Sequence, residues 1–202
     1  MQKFDTPAPV SAVLDIPAGR IQIIAADRAD TTVEVRPASA GKSSDVKAAQ
    51  RVKVAFTDGV LRIEAAESGN RLLGSSGSVE VTVQLPAGSR VEARTASAEF
   101  RGVGRLGDVT FEGAHGSVKL DETAAAHLTL QAGDVTVGRL NGTAQLSTQK
   151  GDISVGVAHG VSASLDAGTT YGRIHNALVN TGGTALTIRA TTAYGDITAR
   201  SL

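Results

Sequence analysis

The chain has 202 residues, with twenty Lys and Arg balanced by twenty Asp and Glu and a formal net charge of +0. That balance excludes the basic footprint of a nucleic-acid binder, and the absence of Cys excludes disulfides, thiolate metal sites and a cysteine nucleophile. Glycine is frequent at 23, Trp is absent, and two Tyr and four Phe are too few to line an aromatic sugar or cofactor groove.

No apolar signal core follows Met1, and no apolar run is long enough to span a membrane, so the expected compartment is the cytoplasm. From the N-terminus the pattern is β. Val13, Ile16, Ile21 and Ile23 flank Pro17-Ala18-Gly19, and Val33 and Val35 alternate with Thr32, Glu34 and Arg36. Ser43–Gln50 is the one stretch suited to a helix, about two turns long, with Ser44 or Asp45 near its cap. Val52, Val54 and Phe56 alternate with Lys53 and Ala55, and Asp58-Gly59 then predicts a hairpin into Val60-Leu61-Arg62-Ile63, since both turn residues tolerate positive φ. Residues 67–78 are polar and glycine-rich, which predicts a loop. Gly74-Ser75-Ser76-Gly77 within it lacks the Lys-Ser/Thr ending of a phosphate loop.

From Val91 onward one phrase recurs: an apolar strand, a glycine, a polar residue, then a second apolar strand. The copies are Ala98-Glu99-Phe100, Gly116-Ser117-Val118, Gly133-Asp134-Val135, Gly151-Asp152-Ile153, Gly172-Arg173-Ile174 and Gly195-Asp196-Ile197. Their apolar residues are spaced by 18, 17, 18, 21 and 23. A period near 20 with β content indicates stacked coils, none able to bury its own apolar face. Phe100, Val118, Val135, Ile153, Ile174 and Ile197 form one expected inward row, and Leu120, Val137 and Val155 a neighbouring one. Phe111, Leu128 and Leu146 stand five residues before their glycines, whereas Val91, Leu165 and Ile188 stand seven before Ala98, Gly172 and Gly195. The expectation is that the added residues lengthen a turn.

Leu14-Asp15-Ile16-Pro17-Ala18-Gly19 echoes Val83-Gln84-Leu85-Pro86-Ala87-Gly88, which suggests that Pro17 and Pro86 sit at equivalent strand ends. These strand ends, followed by serial Gly-Asp-Ile and Gly-Asp-Val phrases, resemble the bacterial β-strand-repeat family labelled "putative adhesin", a domain-of-unknown-function family of the DUF4097 type. The resemblance covers the chain from about Val10. It implies a single-stranded right-handed parallel β-helix or a related β-roll, and it brings no catalytic residues. The expected architecture is one all-β domain over residues 1–202: an antiparallel capping section, 10–90, followed by a repeat solenoid, 91–202.

The polar residue of each phrase gives the row Glu99, Ser117, Asp134, Asp152, Arg173 and Asp196, in which only Asp134 and Asp152 are adjacent acids. That is thin for calcium, and each aspartate is read as capping a turn beside a positive-φ glycine. His115, His127, His159 and His175 form no i, i+2 or i, i+4 pair and read as solvated turn residues, so no metal and no cofactor are expected. A hydrolase would need two facing acids, and Asp134 with Asp152 is the one visible candidate pair. The expected function is therefore a non-catalytic scaffold or binding module. The alternative is a carbohydrate-active enzyme on a β-helix, marked by a groove of stacked charges.

Tyr171 and Tyr194 occupy equivalent positions before a repeat glycine, either as a contact patch or as an aromatic cover on a long turn. The final repeat ends at Ile197-Thr198-Ala199-Arg200-Ser201-Leu202 with Arg200 as its only charge and no Pro. An unblocked last rung invites strand addition. The expected partner contact is thus Tyr171, Tyr194, Ile197, Thr198 and Arg200, used by a second copy or by another protein.

Overall fold

The computed structural model describes residues 1–65, 77–183 and 186–202. Among the described residues, alternating segments give sixteen strands and one helix. In the first half these are β1 (Gln2–Asp5), β2 (Ser11–Asp15), β3 (Ala18–Ala26), β4 (Asp30–Pro37), α1 (Ser43–Arg51), β5 (Val52–Thr57), β6 (Val60–Ala65) and β7 (Val79–Pro86). The repeat region supplies β8 (Arg90–His115), β9 (Val118–Ala132), β10 (Val135–Leu140), β11 (Ala144–Lys150), β12 (Ile153–Val157), β13 (Ala163–Tyr171), β14 (Ile174–Ala177), β15 (Leu186–Tyr194) and β16 (Ile197–Ser201). The predicted loop at 67–78 falls almost entirely outside the described residues.

Hydrogen bonding arranges the strands in two ladders that share β8 and β9, forming one mixed, open sheet. The first ladder runs β1-β4-β7-β3-β8-β9-β10-β12-β16-β14. The second runs β5-β6-β2-β8-β9-β11-β15-β13. Every contact from β7 onward in the first ladder, and from β6 onward in the second, is parallel. The inward rows face one another across a single core running from Val10 to Ala199. Phe100 and Phe111 bridge the two ladders in its middle, with ring centroids 5.2 Å apart. At one end Phe4 of β1 meets Phe56 of β5 at 5.4 Å, so the aromatic pair and the antiparallel strands close the core there.

The first half is less antiparallel than its alternation suggests. Antiparallel pairing is confined to β1 with β4, β4 with β7, and β5 with β6, while β2 and β3 join the parallel stack. Alternation specifies a half-buried strand, not its direction. Pro17-Ala18-Gly19 is a corner between the ladders, not a hairpin. The Ala96 and Ser97 amides donate to the Pro17 carbonyl at 3.0 and 2.8 Å, and Gly19 has the φ of 136° that recurs at later corners. Pro86 ends β7 beside Ala26, where the chain passes from the first ladder to the second, so the two echoing segments turn opposite corners and are not equivalent.

The hairpin forms as expected, with Asp58 at φ 51° and Gly59 at φ 76°. The helix also forms, but its N-cap is Lys42, which makes no side-chain capping bond. Buried Asp45 instead accepts the Ser78 amide at 3.1 Å, tying α1 to the start of β7.

Two corrections concern the repeats. The apolar row is continuous, but its order is Phe100, Val118, Val135, Ile153, Ile197, Ile174. The last repeat inserts between the two preceding ones. In the second ladder, likewise, β15 separates β11 from β13. Burial explains the choice. A rung covered on both sides must be apolar in every inward row, and Leu186, Ile188, Ala190, Ile197 and Ala199 are all buried. The β13–β14 rung places Asn176 in the row of Leu120, Val137, Val155 and Ala199, and an amide is tolerated there only where the stack stops.

The second correction is one of register. Leu146 lies beside Ala190, which lies beside Ala167, so every rung keeps five residues from this row to its glycine. Val91, Leu165 and Ile188 belong to the row before it, and no turn is lengthened at Thr169–Tyr171 or Thr192–Tyr194, which are strand.

Candidate functional site

Four corners of the first ladder begin with a repeat glycine at positive φ, and the Phe100 corner begins with Ala98. Gly116, Gly133, Gly151 and Gly195 have φ of 134°, 140°, 147° and 150°, and a Cβ on any of them would run into the carbonyl of the preceding rung. Glycine here permits both the backbone angle and the close stacking. The next residue carries the polar chemistry. The Asp152 amide donates to Asp134 Oδ1 at 2.9 Å, the Asp196 amide to Asp152 Oδ1 at 2.8 Å, and the Arg173 amide to Asp196 Oδ1 at 2.8 Å.

The insertion of the last repeat thus makes three consecutive aspartates, and Arg173 stands beside Asp196 and not beside Asp152. Arg173 also reaches Asp196 Oδ2 at 3.2 Å. Its backbone amide, against a smaller opposing effect of burial and with help from its guanidinium, holds the Asp196 carboxyl below the usual carboxylate range. Within this column each aspartate binds the corner of the next rung, which is a structural use of the carboxylate. Among the described residues no group of three or more His, Asp or Glu side chains converges as a metal site would require.

A second column repeats the same economy. Thr148 donates to the Gly133 carbonyl at 3.2 Å, Thr192 to Gly151 at 3.1 Å, and Thr169 to Gly195 at 3.0 Å, each crossing to the preceding rung. Three open surface depressions of about 390, 430 and 490 Å³ lie beside Gly19 and Gly116, along Thr110, His127 and Gln145, and at the open end beside Arg173 and His175.

The end of the stack is different. Tyr171 and Tyr194 are in register, with rings stacked at 4.9 Å and an interplanar angle of 9°. They are 63% and 56% exposed. Both tyrosines are therefore strand residues in a column with Lys150, not a cover on a long turn. Ile174 starts β14 at 46% exposure, although its row is otherwise buried. Among the described residues the ladders stop at β13 and β14, and one edge of each has no strand partner.

The expected C-terminal edge is not an edge. Ile197 is buried between Ile153 and Ile174, Thr198 lies between Ser154 and His175, and Arg200 between Gly156 and Ala177. Of the five expected contact residues, Tyr171 lies on the last rung, while Tyr194, Ile197, Thr198 and Arg200 lie one rung inside it, with Tyr194 still exposed beneath the Tyr171 ring. Ile174 was missed. The available signal was Asn176, a polar residue in an apolar row, which marks its repeat as terminal.

Parallel rungs stacked on a recurrent corner, capped at one end, define a class of repeat-built β-stack proteins. The chain belongs to the Toastrack DUF4097 family, whose model matches residues 13–201. No curated protein matches it. Among solved structures it is similar to a "putative cell adhesion protein" from Clostridium sporogenes, at 12% identity and TM-score 0.52, covering 100% of this chain and 98% of that chain. A "putative adhesin" from Bacteroides fragilis aligns at 15% identity and TM-score 0.44, covering 100% and 95%. A "putative adhesin" from Parabacteroides merdae aligns at 12% and 0.46, covering 100% and 93%. At 12% identity the likeness to the first of these is one of fold alone.

Proposed function

We propose that this chain is a non-catalytic binding module: a single-stranded right-handed parallel β-helix that holds a recognition surface at its open end. The observation that carries this reading is the exposed Tyr171–Tyr194 stack beside Ile174 and the unpaired edges of β13 and β14. Tyrosine supplies a large amphipathic contact area at low conformational cost, which is why it is enriched at interfaces. An open strand edge adds directional hydrogen bonds that a partner can complete. The use of Asp134, Asp152 and Asp196 as acceptors for the next rung's amides supports a structural role for the acidic column over a hydrolytic one.

The test is a comparison of proteins retained from native lysate by the wild-type chain and by Tyr171→Ala/Tyr194→Ala, followed by reconstitution of any differential species with purified chain. Loss of a reconstitutable partner in the variant is expected. Turnover of a polysaccharide that disappears in Asp152→Asn would replace this reading with the enzymatic one.

A further inference from the structure

The two ends of the stack differ in what governs strand addition. At the capped end the ladders finish on β1 and β5, which carry Lys3 and Lys53, and Pro7 and Pro9 follow β1. Charges and prolines at an edge are how natural sheets discourage pairing. The other end differs: β13 and β14 hold no Lys and no Pro. Its charges are already neutralised within the chain, Asp166 by Arg189 at 3.1 Å and Arg173 by Asp196 at 3.2 Å. Among the described residues the exposed large apolar side chains are Met1, Tyr171, Ile174, Val179, Tyr194 and Leu202, and all but Met1 belong to the last two rungs or their connections.

We propose that the occupant of this edge is a second copy of the chain, with β13 and β14 pairing antiparallel to their two-fold mates so that the two cores abut end to end. The proposal rests on the reading that the open end is the recognition surface, and it names the partner. In a two-fold contact each edge meets itself, so the surface must be self-complementary. An edge with unbalanced charge would repel its own copy, whereas this one carries matched ion pairs. Head-to-tail continuation would instead bring the open edge against Lys53 of β5 and the prolines that follow β1. The dimer covers Ile174 and the outer ring face of Tyr171, the two apolar surfaces that the missing next rung leaves bare.

The absence of Cys makes the contact directly testable, because a single introduced thiol reports only its own surroundings. Gly168→Cys lies in β13, and Gly41→Cys precedes α1 at the capped end; at both positions a new Cβ meets nothing within 4 Å. The wild-type chain at micromolar concentration is expected to sediment at twice the 20.5 kDa monomer mass. Oxidation should cross-link Gly168→Cys into a covalent dimer and leave Gly41→Cys uncross-linked. Ile174→Lys should weaken the dimer by at least about tenfold while leaving the circular dichroism unchanged.

A monomeric wild type overturns the proposal, as does a dimer that fails to cross-link through Gly168→Cys or that is indifferent to Ile174→Lys. A monomer whose reconstituted partner is still lost in Tyr171→Ala/Tyr194→Ala would sink the dimer and leave the binding-module reading standing. A cross-linked dimer with unchanged capture of other proteins would support the dimer and the open end as the recognition surface, with a second copy as its occupant.

Discussion

Ile153 lies in register with Ile197 and not with Ile174, the next repeat isoleucine in the chain. The chain therefore lays down the terminal rung first and then returns to fill the gap beneath it. Ile197 is fully buried and Ile174 is nearly half exposed, although both occupy the same row. Ile197→Asp is expected to abolish folding, since an unpaired carboxylate in the core costs several kcal/mol. Ile174→Asp should fold, with a loss of about 1 kcal/mol or less. Urea titration followed by circular dichroism separates the two, and equal sensitivity at both positions would contradict the inserted rung.

The glycine corner predicts a sharp contrast between glycines of the same chain. Gly133 has φ 140°, and a Cβ there meets the Gly116 carbonyl, whereas Gly168 has open space around it. Gly133→Ala should destabilise by more than about 1 kcal/mol, and Gly168→Ala should be neutral or slightly stabilising through the unfolded chain. Thermal melts of the two variants check this directly.

The aspartate column is separable from any charge requirement. Asp152→Asn keeps a side-chain oxygen able to accept the Asp196 amide, while Asp152→Ala removes it. The alanine variant should lose about 1 kcal/mol relative to the asparagine variant. Millimolar calcium should leave the melting temperature of the wild type unchanged, because a ligand raises stability only by binding the folded state. An upward shift that is lost in Asp152→Ala would show that the column binds the ion.

Asp30 gives the capped end an acid dependence. Its carboxyl is lowered from 3.8 to about 2, first by the hydrogen bond from Arg28 and then by that from Lys3, at 2.8 and 3.1 Å. A depressed carboxylate stabilises the fold at pH above its unfolded value, and that contribution is lost as pH falls through the folded one. The window is therefore from about pH 3.8 down to about pH 2. Asp30→Asn should flatten the pH dependence of the melting temperature in that window and leave its shape near neutrality unaltered.

Much was legible in the residues alone. The recurrence of the Gly-Asp-Ile phrase at 17 to 23 residues pointed to parallel rungs, because repeats stacked on one another run in the same direction, and alternation within each strand gave the inward row. Asp58-Gly59 determined its hairpin, because both residues must take positive φ. Tyr171 and Tyr194 were paired by their equal offset from the repeat glycine. These are local or periodic constraints, and each is satisfied within a few residues of where it is written.

Tertiary structure alone decided the direction of β2 and β3, the opposite corners turned by Pro17 and Pro86, and the order of the last two rungs. Strand period is the same for parallel and antiparallel neighbours. Rungs that present the same rows can exchange places without altering any local pattern. What breaks that degeneracy is burial summed over a whole rung. The repeat ending in Ala199 can be covered on both sides, while the repeat carrying Asn176 in the same row cannot, so the chain's last residues fold inward and its penultimate repeat is left at the end.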